Sequence, residues 1–159
     1  MKPAIREPVE RLVGNAPFWA ALPEAARRDL ASHAVRRRFR RGQRLLGADD
    51  RTLLTVVVGR AELLDHEGDV IRSIDAPATV GLSLALGAPS SAELRACENG
   101  VLVSVPGDAV AATLHRHPDA AIAALLHLAA VIADLSATLD AMRRTGLEGR
   151  LRQRLRELA

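Results

Sequence analysis

Aromatic side chains are almost missing from this chain: Phe18, Trp19 and Phe39 are the whole set, and there is no tyrosine. Any core must therefore be built from Leu, Val, Ile and Ala, and a single-strand nucleic-acid binder that stacks bases on aromatic platforms is excluded. Cysteine is reduced to Cys97, which rules out an intrachain disulfide, a cysteine-based zinc site and a cysteine-ligated iron–sulfur cluster. Lysine is represented by Lys2 alone, so the net charge of +3 is carried by arginine; it permits a nucleic-acid partner without identifying one. The first residues carry acids and proline where a signal peptide needs an apolar run, and the stretch from Ala120 to Ala133 is interrupted by His127 and reads as too short to span a bilayer. A cytoplasmic protein with no membrane partner is expected. No G-x-S-x-G turn and no glycine-rich phosphate loop occurs, and the scattered histidines form no metal triad. We expect neither an enzyme nor a metal site.

What is present is an aliphatic chain, 48% hydrophobic over 159 residues, enough for one core with an appended helix. Residues 5–34 read as short helices punctuated by Pro17 and Pro23. From Val35 the pattern changes to short apolar runs separated by Gly, Asp and Pro: Arg44–Leu46, Leu53–Val58, Ala61–Leu64, Val70–Ile74, Thr79–Leu86, Glu93–Ala96 and Val101–Val105. The β-branched run Val56-Val57-Val58 before Gly59 favours a strand, and Asp65-His66-Glu67-Gly68 reads as a hairpin turn with Gly68 at positive φ. Strands at this spacing predict a small antiparallel barrel or roll. Pro106-Gly107-Asp108 closes the β region, with Asp108 as N-cap of a helix through Leu114, and Pro118 opens a much longer helix.

That long helix carries the cleanest pattern. Leu125, Leu128, Ile132, Leu135, Leu139 and Met142 alternate steps of three and four, the a/d seam of two helices packed lengthwise. The same spacing also suits a helix lying on its own roll. Beyond Gly146 and Gly149 comes a stripe of Leu147, Leu151, Leu155 and Leu158, opposite Arg150, Arg152, Arg154 and Arg156. Leaving such leucines bare costs about 1.5–3 kcal/mol each relative to burial. The expected division is a roll with its N-terminal helices at 1–117, a dimerisation helix at 118–145, and at 146–159 a hinge leading into a linker helix or a DNA-binding domain.

Several segments resemble the Crp/Fnr family of transcription regulators. Phe39-Arg40-Arg41-Gly42-Gln43-Arg44-Leu45-Leu46 is similar to the family's entry into the roll, and Val56-Val57-Val58-Gly59-Arg60-Ala61-Glu62-Leu63 to its strand pair. Gly81 to Ala96 takes the place of the phosphate-binding cassette, and Leu147-Glu148-Gly149-Arg150-Leu151 resembles the segment that leads to the DNA-binding domain. The resemblance implies an α+β fold. Its centre is a double-stranded β-helix or jelly-roll-like antiparallel β-roll, the cyclic nucleotide-binding fold, flanked by N-terminal helices and a long dimerisation helix. It further implies an allosteric, effector-sensing homodimer that touches DNA only through a helix-turn-helix domain not present in these residues.

Two departures matter. The family's nucleotide-binding members carry a Glu after the first cassette glycine, for the ribose hydroxyl, and an Arg before the Ser/Thr-Ala, for the cyclic phosphate. Here Leu82 and Ser90 stand in those places, in a loop that is about two residues shorter. Losing a charge-assisted contact of about 1.5–3 kcal/mol removes one to two decades of affinity. Binding of cAMP or cGMP is expected to be weak, altered or absent, with no resident cofactor and an effector of unknown identity. The residues left to contact an anion are Gly81, Leu82, Ser83, Ser90, Ser91 and Ala92, with Arg95 if it turns inward. The resemblance places Ser136 and Thr138 near the purine. His115 and His117 are two residues apart, not the four that put two ligands on one helical face, and read as surface histidines. His127, beside Leu128, reads as an interface residue. If Arg36–Arg41 is a strand, its arginines divide between two faces.

Overall fold

In the computed structural model, which describes residues 8–157, three short helices lead into eight strands, and two further helices follow. The helices are α1 (Val9–Val13), α2 (Pro17–Ala21) and α3 (Glu24–Ser32). The strands are β1 (Val35–Phe39), β2 (Arg44–Leu46), β3 (Thr52–Val58), β4 (Arg60–Leu64), β5 (Val70–Asp75), β6 (Ala78–Val80), β7 (Glu93–Ala96) and β8 (Gly100–Pro106). A four-residue helix, α4 (Leu82–Ala85), interrupts them, and α5 (Gly107–Arg116) and α6 (Pro118–Glu157) close the chain. The strands form two antiparallel sheets in the orders β1-β8-β3-β6 and β2-β7-β4-β5. Leu158 and Ala159, the end of the expected leucine stripe, lie outside the described residues.

Alternation explains the layers. Leu94 and Ala96 of β7 point inward and meet Ala61 of β4, Ile74 of β5 and Leu46 of β2; Leu54, Val56 and Leu102 of the other sheet complete the cluster with Phe39 and Leu84. As composition required, this core is almost wholly aliphatic. A polar thread is buried beside it: the Trp19 indole N–H donates to Thr55 Oγ1 at 2.8 Å, which lies 3.0 Å from Thr79 Oγ1. Thus α2 is tied to β3 and β6 by groups that would be costly to leave unpaired.

The structure departs from the sequence reading at four places. The run Thr79–Leu86 is not one strand: Gly81 adopts φ +83°, and the chain turns from β6 into α4. Val35–Phe39 is a strand although four of its five residues are exposed, because β1 is an edge strand whose arginines face water. Asp108 is not the N-cap of α5; Pro106 holds that position and Asp108 sits in the first turn, where its charge favours the helix dipole. Finally, α6 runs 40 residues without a break, straight through Gly146 and Gly149. Contrary to the estimate from Ala120–Ala133, it is long and apolar enough to cross a membrane by length and composition. The Asp65–Gly68 turn forms as expected, with Gly68 at φ +89°.

The chain divides into two compact units, Met1–Ala124 and Leu125–Ala159. The first holds the roll and the start of α6. The second is the remainder of α6, on which Leu125, Ile132, Leu139, Met142, Leu147, Leu151 and Leu155 are all exposed, at 54–67%. Leu128 and Leu135, the other seam positions, are half-buried.

Candidate functional site

Gly81 starts the segment expected to hold a ligand. Its left-handed backbone suits glycine, and a Cβ there would lie 2.8 Å from both the Thr52 carbonyl oxygen and Leu46 Cδ2. Leu82, Leu84 and Ala85 of α4 are buried, while Ser83 and Leu86 face water. Leu82 therefore serves as an apolar anchor of α4. Past α4 the chain is irregular, and the Ser90 hydroxyl accepts the Ala92 N–H at 3.1 Å. Ser91 is exposed and Ala92 half-buried. The Ser90 oxygen is engaged in its own turn, as serines after proline commonly are.

Arg95 is on the outer face. Its neighbours Leu94 and Ala96 enter the core, so strand alternation sends Arg95 the other way. There its guanidinium pairs with Glu93 Oε1, at 2.6 Å from Nη2 and 3.1 Å from Nε. The structure thus gathers Gly81–Ser83 and Ser90–Ala92 along one connection between β6 and β7 but leaves Arg95 outside. On α6, Ser136 is exposed and the Thr138 hydroxyl donates to the Asp134 carbonyl at 2.9 Å, a bond back to the preceding turn.

The other reactive groups have structural partners. The Cys97 thiol is pushed up by burial and by Glu62 beside it, which keeps it protonated and a poor nucleophile. Asp65, Glu67 and Asp69 bring carboxylate oxygens within 4.8 Å of one another at the β4–β5 turn. Asp65 Oδ1 there accepts the N–H groups of Glu67 and Asp69, both at 2.9 Å. The Asp69 N–H foremost, with that of Glu67, holds the Asp65 carboxyl below its ordinary range.

One constellation had no signal in the sequence. Asp29, on α3, meets the corner where α5 ends and α6 begins. Arg116 grips its carboxylate with Nε and Nη2, both bonds at 3.0 Å, while His117 Nε2 lies 3.2 Å away and His33 Nε2 3.8 Å away. His117 is therefore a half-buried partner of Asp29, correcting its reading as a surface histidine. Burial acts to raise the Asp29 carboxyl, but the hydrogen bond and charge of Arg116, with those of His117, outweigh it and hold it below 3.8. The partners are 87 and 88 residues apart, so no local pattern announces them.

No protein-family model matches this sequence. No curated protein matches it either. Solved structures do match in shape. A cyclic nucleotide-binding domain from Methylobacillus flagellatus aligns at TM-score 0.66 and 21% identity, over 85% of this chain and 80% of that one. The sensor domain of the transcriptional regulator DNR from Pseudomonas aeruginosa aligns at 0.65 and 12%, over 76% and 91%. The Thermus thermophilus catabolite activator protein aligns at 0.65 and 21%, over 80% of this chain and 63% of its own length. The chain likewise spans 62% of a Ruegeria pomeroyi protein of this shape. The roll with its flanking helices is thus the cyclic nucleotide-binding fold, as expected.

Proposed function

We propose that this chain is the effector-sensing and dimerisation part of a Crp/Fnr-type transcription regulator, cytoplasmic and not itself an enzyme, in which cyclic nucleotide binding is weak, altered or absent. The observation that carries the reading is a roll of this fold followed, after α5, by a long helix on which four of the six heptad-seam residues are exposed. A sensor domain and a catabolite activator protein among the solved structures of this shape favour regulation over catalysis.

The seam residues Leu125, Leu128, Ile132, Leu135, Leu139 and Met142 would meet their counterparts in a second copy. The heptad spacing, with Asp134 and Asp140 inside the same stretch, favours a protein partner for α6 over a lipid one. An effector lodged along Gly81–Ala92 would act on α5 and so on the Arg116–Pro118 corner, from which α6 departs. Coupling of that kind requires a ligand with different affinity for two arrangements of the dimer. Gly146 and Gly149, in the helix as it stands, are the positions where a bend toward a DNA-binding domain would cost least. Contact with DNA would come only through such a domain.

A second reading rests on Leu82 and Arg95. With an apolar anchor where an acid is needed and Arg95 turned outward, the roll could have lost its ligand and serve protein–protein assembly alone. Calorimetric titration with cAMP and cGMP, together with mass spectrometry of any co-purified molecule, separates the two. We expect no cyclic-nucleotide binding in the micromolar range. Clear micromolar binding would overturn the degenerate cassette, and a captured effector of another kind would overturn the assembly-only reading. Recovery of the protein only in the membrane fraction would overturn the cytoplasmic one.

A further inference from the structure

Outside the Gly81–Ala92 connection, a cleft of about 540 Å³ opens where the β1–β2 turn meets the β7–β8 turn, lined by Arg38, Phe39, Arg40, Gln43, Asn99 and Gly100. Its size is within the range of small-molecule sites. What distinguishes it is the chemistry of the lining. Gln43 Oε1 accepts the Arg40 N–H at 3.1 Å, and Asn99 Oδ1 accepts the Arg41 N–H at 2.9 Å. A backbone N–H can only bond to the oxygen end of an amide, so both side-chain NH2 groups are left as the free ends. Arg38, on β1, and Arg40, just past its end, both line the cleft. Neither has an ion pair among the described residues, and no carboxylate lines the cleft.

Each of the four polar side chains lining the cleft can therefore donate hydrogen bonds, and two of them are permanent cations. The cleft is also held in shape: Gly42 N–H bonds to the Ala96 carbonyl at 2.8 Å, Ala96 N–H to the Gln43 carbonyl at 2.9 Å, and Gln43 N–H to the Arg40 carbonyl at 3.1 Å. The two turns that carry the donors are thereby fastened to each other before any ligand arrives, which lowers the ordering cost of binding.

We propose that this cleft binds the phosphate group of a small molecule, gripped by the guanidinium groups of Arg38 and Arg40 and the amide NH2 groups of Gln43 and Asn99. Four donor groups and two positive charges suit a tetrahedral dianion with three acceptor oxygens better than a two-oxygen carboxylate. The site is independent of the effector reading above, since none of its residues belongs to the Gly81–Ala92 connection.

Inorganic pyrophosphate is the probe, titrated into the full chain and followed by the 15N-detected side-chain amide signals of Gln43 and Asn99. Those two signals are expected to move together and to saturate. R38Q with R40Q is expected to weaken binding at least tenfold. R36Q removes one charge from the same strand outside the cleft and is expected to leave affinity within about twofold, the cost of losing a screened, non-contacting charge. Circular dichroism checks that each variant is folded. The proposal is overturned if the two amide signals stay still at millimolar pyrophosphate, or if R36Q weakens binding as much as the double variant. Citrate bound as tightly as pyrophosphate would replace phosphate by carboxylate. Preference for duplex DNA through the same residues would replace the small molecule by nucleic acid.

Discussion

At the scale of single residues, polar groups inside an aliphatic core decide the outcome. Thr55 Oγ1 accepts the indole N–H of Trp19 and passes a contact on to Thr79. Thr55→Val preserves shape but strands the indole donor. It should destabilise the fold by about 1–3 kcal/mol, measured as a shift of the urea midpoint at constant slope. An unchanged midpoint would mean that the indole finds another acceptor. Thr113 presents the opposite case, since its hydroxyl is buried on α5 without a partner among the described residues. Thr113→Val should leave stability equal or raise it by about 1 kcal/mol, because desolvation of an unsatisfied hydroxyl is relieved.

Asp29 belongs to the same scale and has a sign that can be worked out. Its carboxyl is depressed in the folded state, so its contribution is fully present above the unfolded value near 3.8 and is lost as pH falls through the lower folded value. The wild type should therefore lose stability more steeply with acid than Asp29→Asn in that window, as read from melting temperature against pH. Parallel curves would show that Arg116 and His117 do not stabilise the charge.

Elements bring a second set of decisions. The sequence read Thr79–Leu86 as one apolar strand because periodicity cannot separate a short buried helix from a strand. Gly81 settles it sterically: only a residue without Cβ passes the Thr52 carbonyl while at positive φ. Gly81→Ala should lower the melting temperature, with a cost above the 0.4–1 kcal/mol typical of unstrained exchanges. The edge strand β1 was equally hard to read, for its arginines carry none of the alternation that marks a half-buried strand. By contrast, β2 and β7 were legible to the residue, because Gly, Pro and polar turns bracket their apolar runs. The long helix was legible from Pro118 onward. Its continuation past Gly146 was not, since two glycines in a helix cost only about 1 kcal/mol each and flanking residues with good propensity outvote them.

For the whole molecule, the telling feature is the set of exposed leucines and isoleucines on α6. If a second copy covers them, Leu135→Asp with Leu139→Asp should turn a dimer into a monomer by light scattering, while the roll keeps its circular dichroism. A dimer of unchanged mass in that variant would place the seam elsewhere. The order of helices, roll and long helix was readable from the chain. The candidate ligand residues were readable only as a list, because a list does not say which way a side chain points.

Local chemistry alone determined this protein's element order, its aliphatic core and the apolar seam, because turns, periodicity and composition act over a few residues. Only the tertiary structure decided that Arg95 faces outward beside Glu93, that Asp29 holds the α5–α6 corner, and that Arg38, Arg40, Gln43 and Asn99 share one cleft. Those outcomes depend on strand register and on contacts between residues far apart in the chain. A one-residue slip in the register of β7 would turn Arg95 to the other face while leaving every local pattern intact.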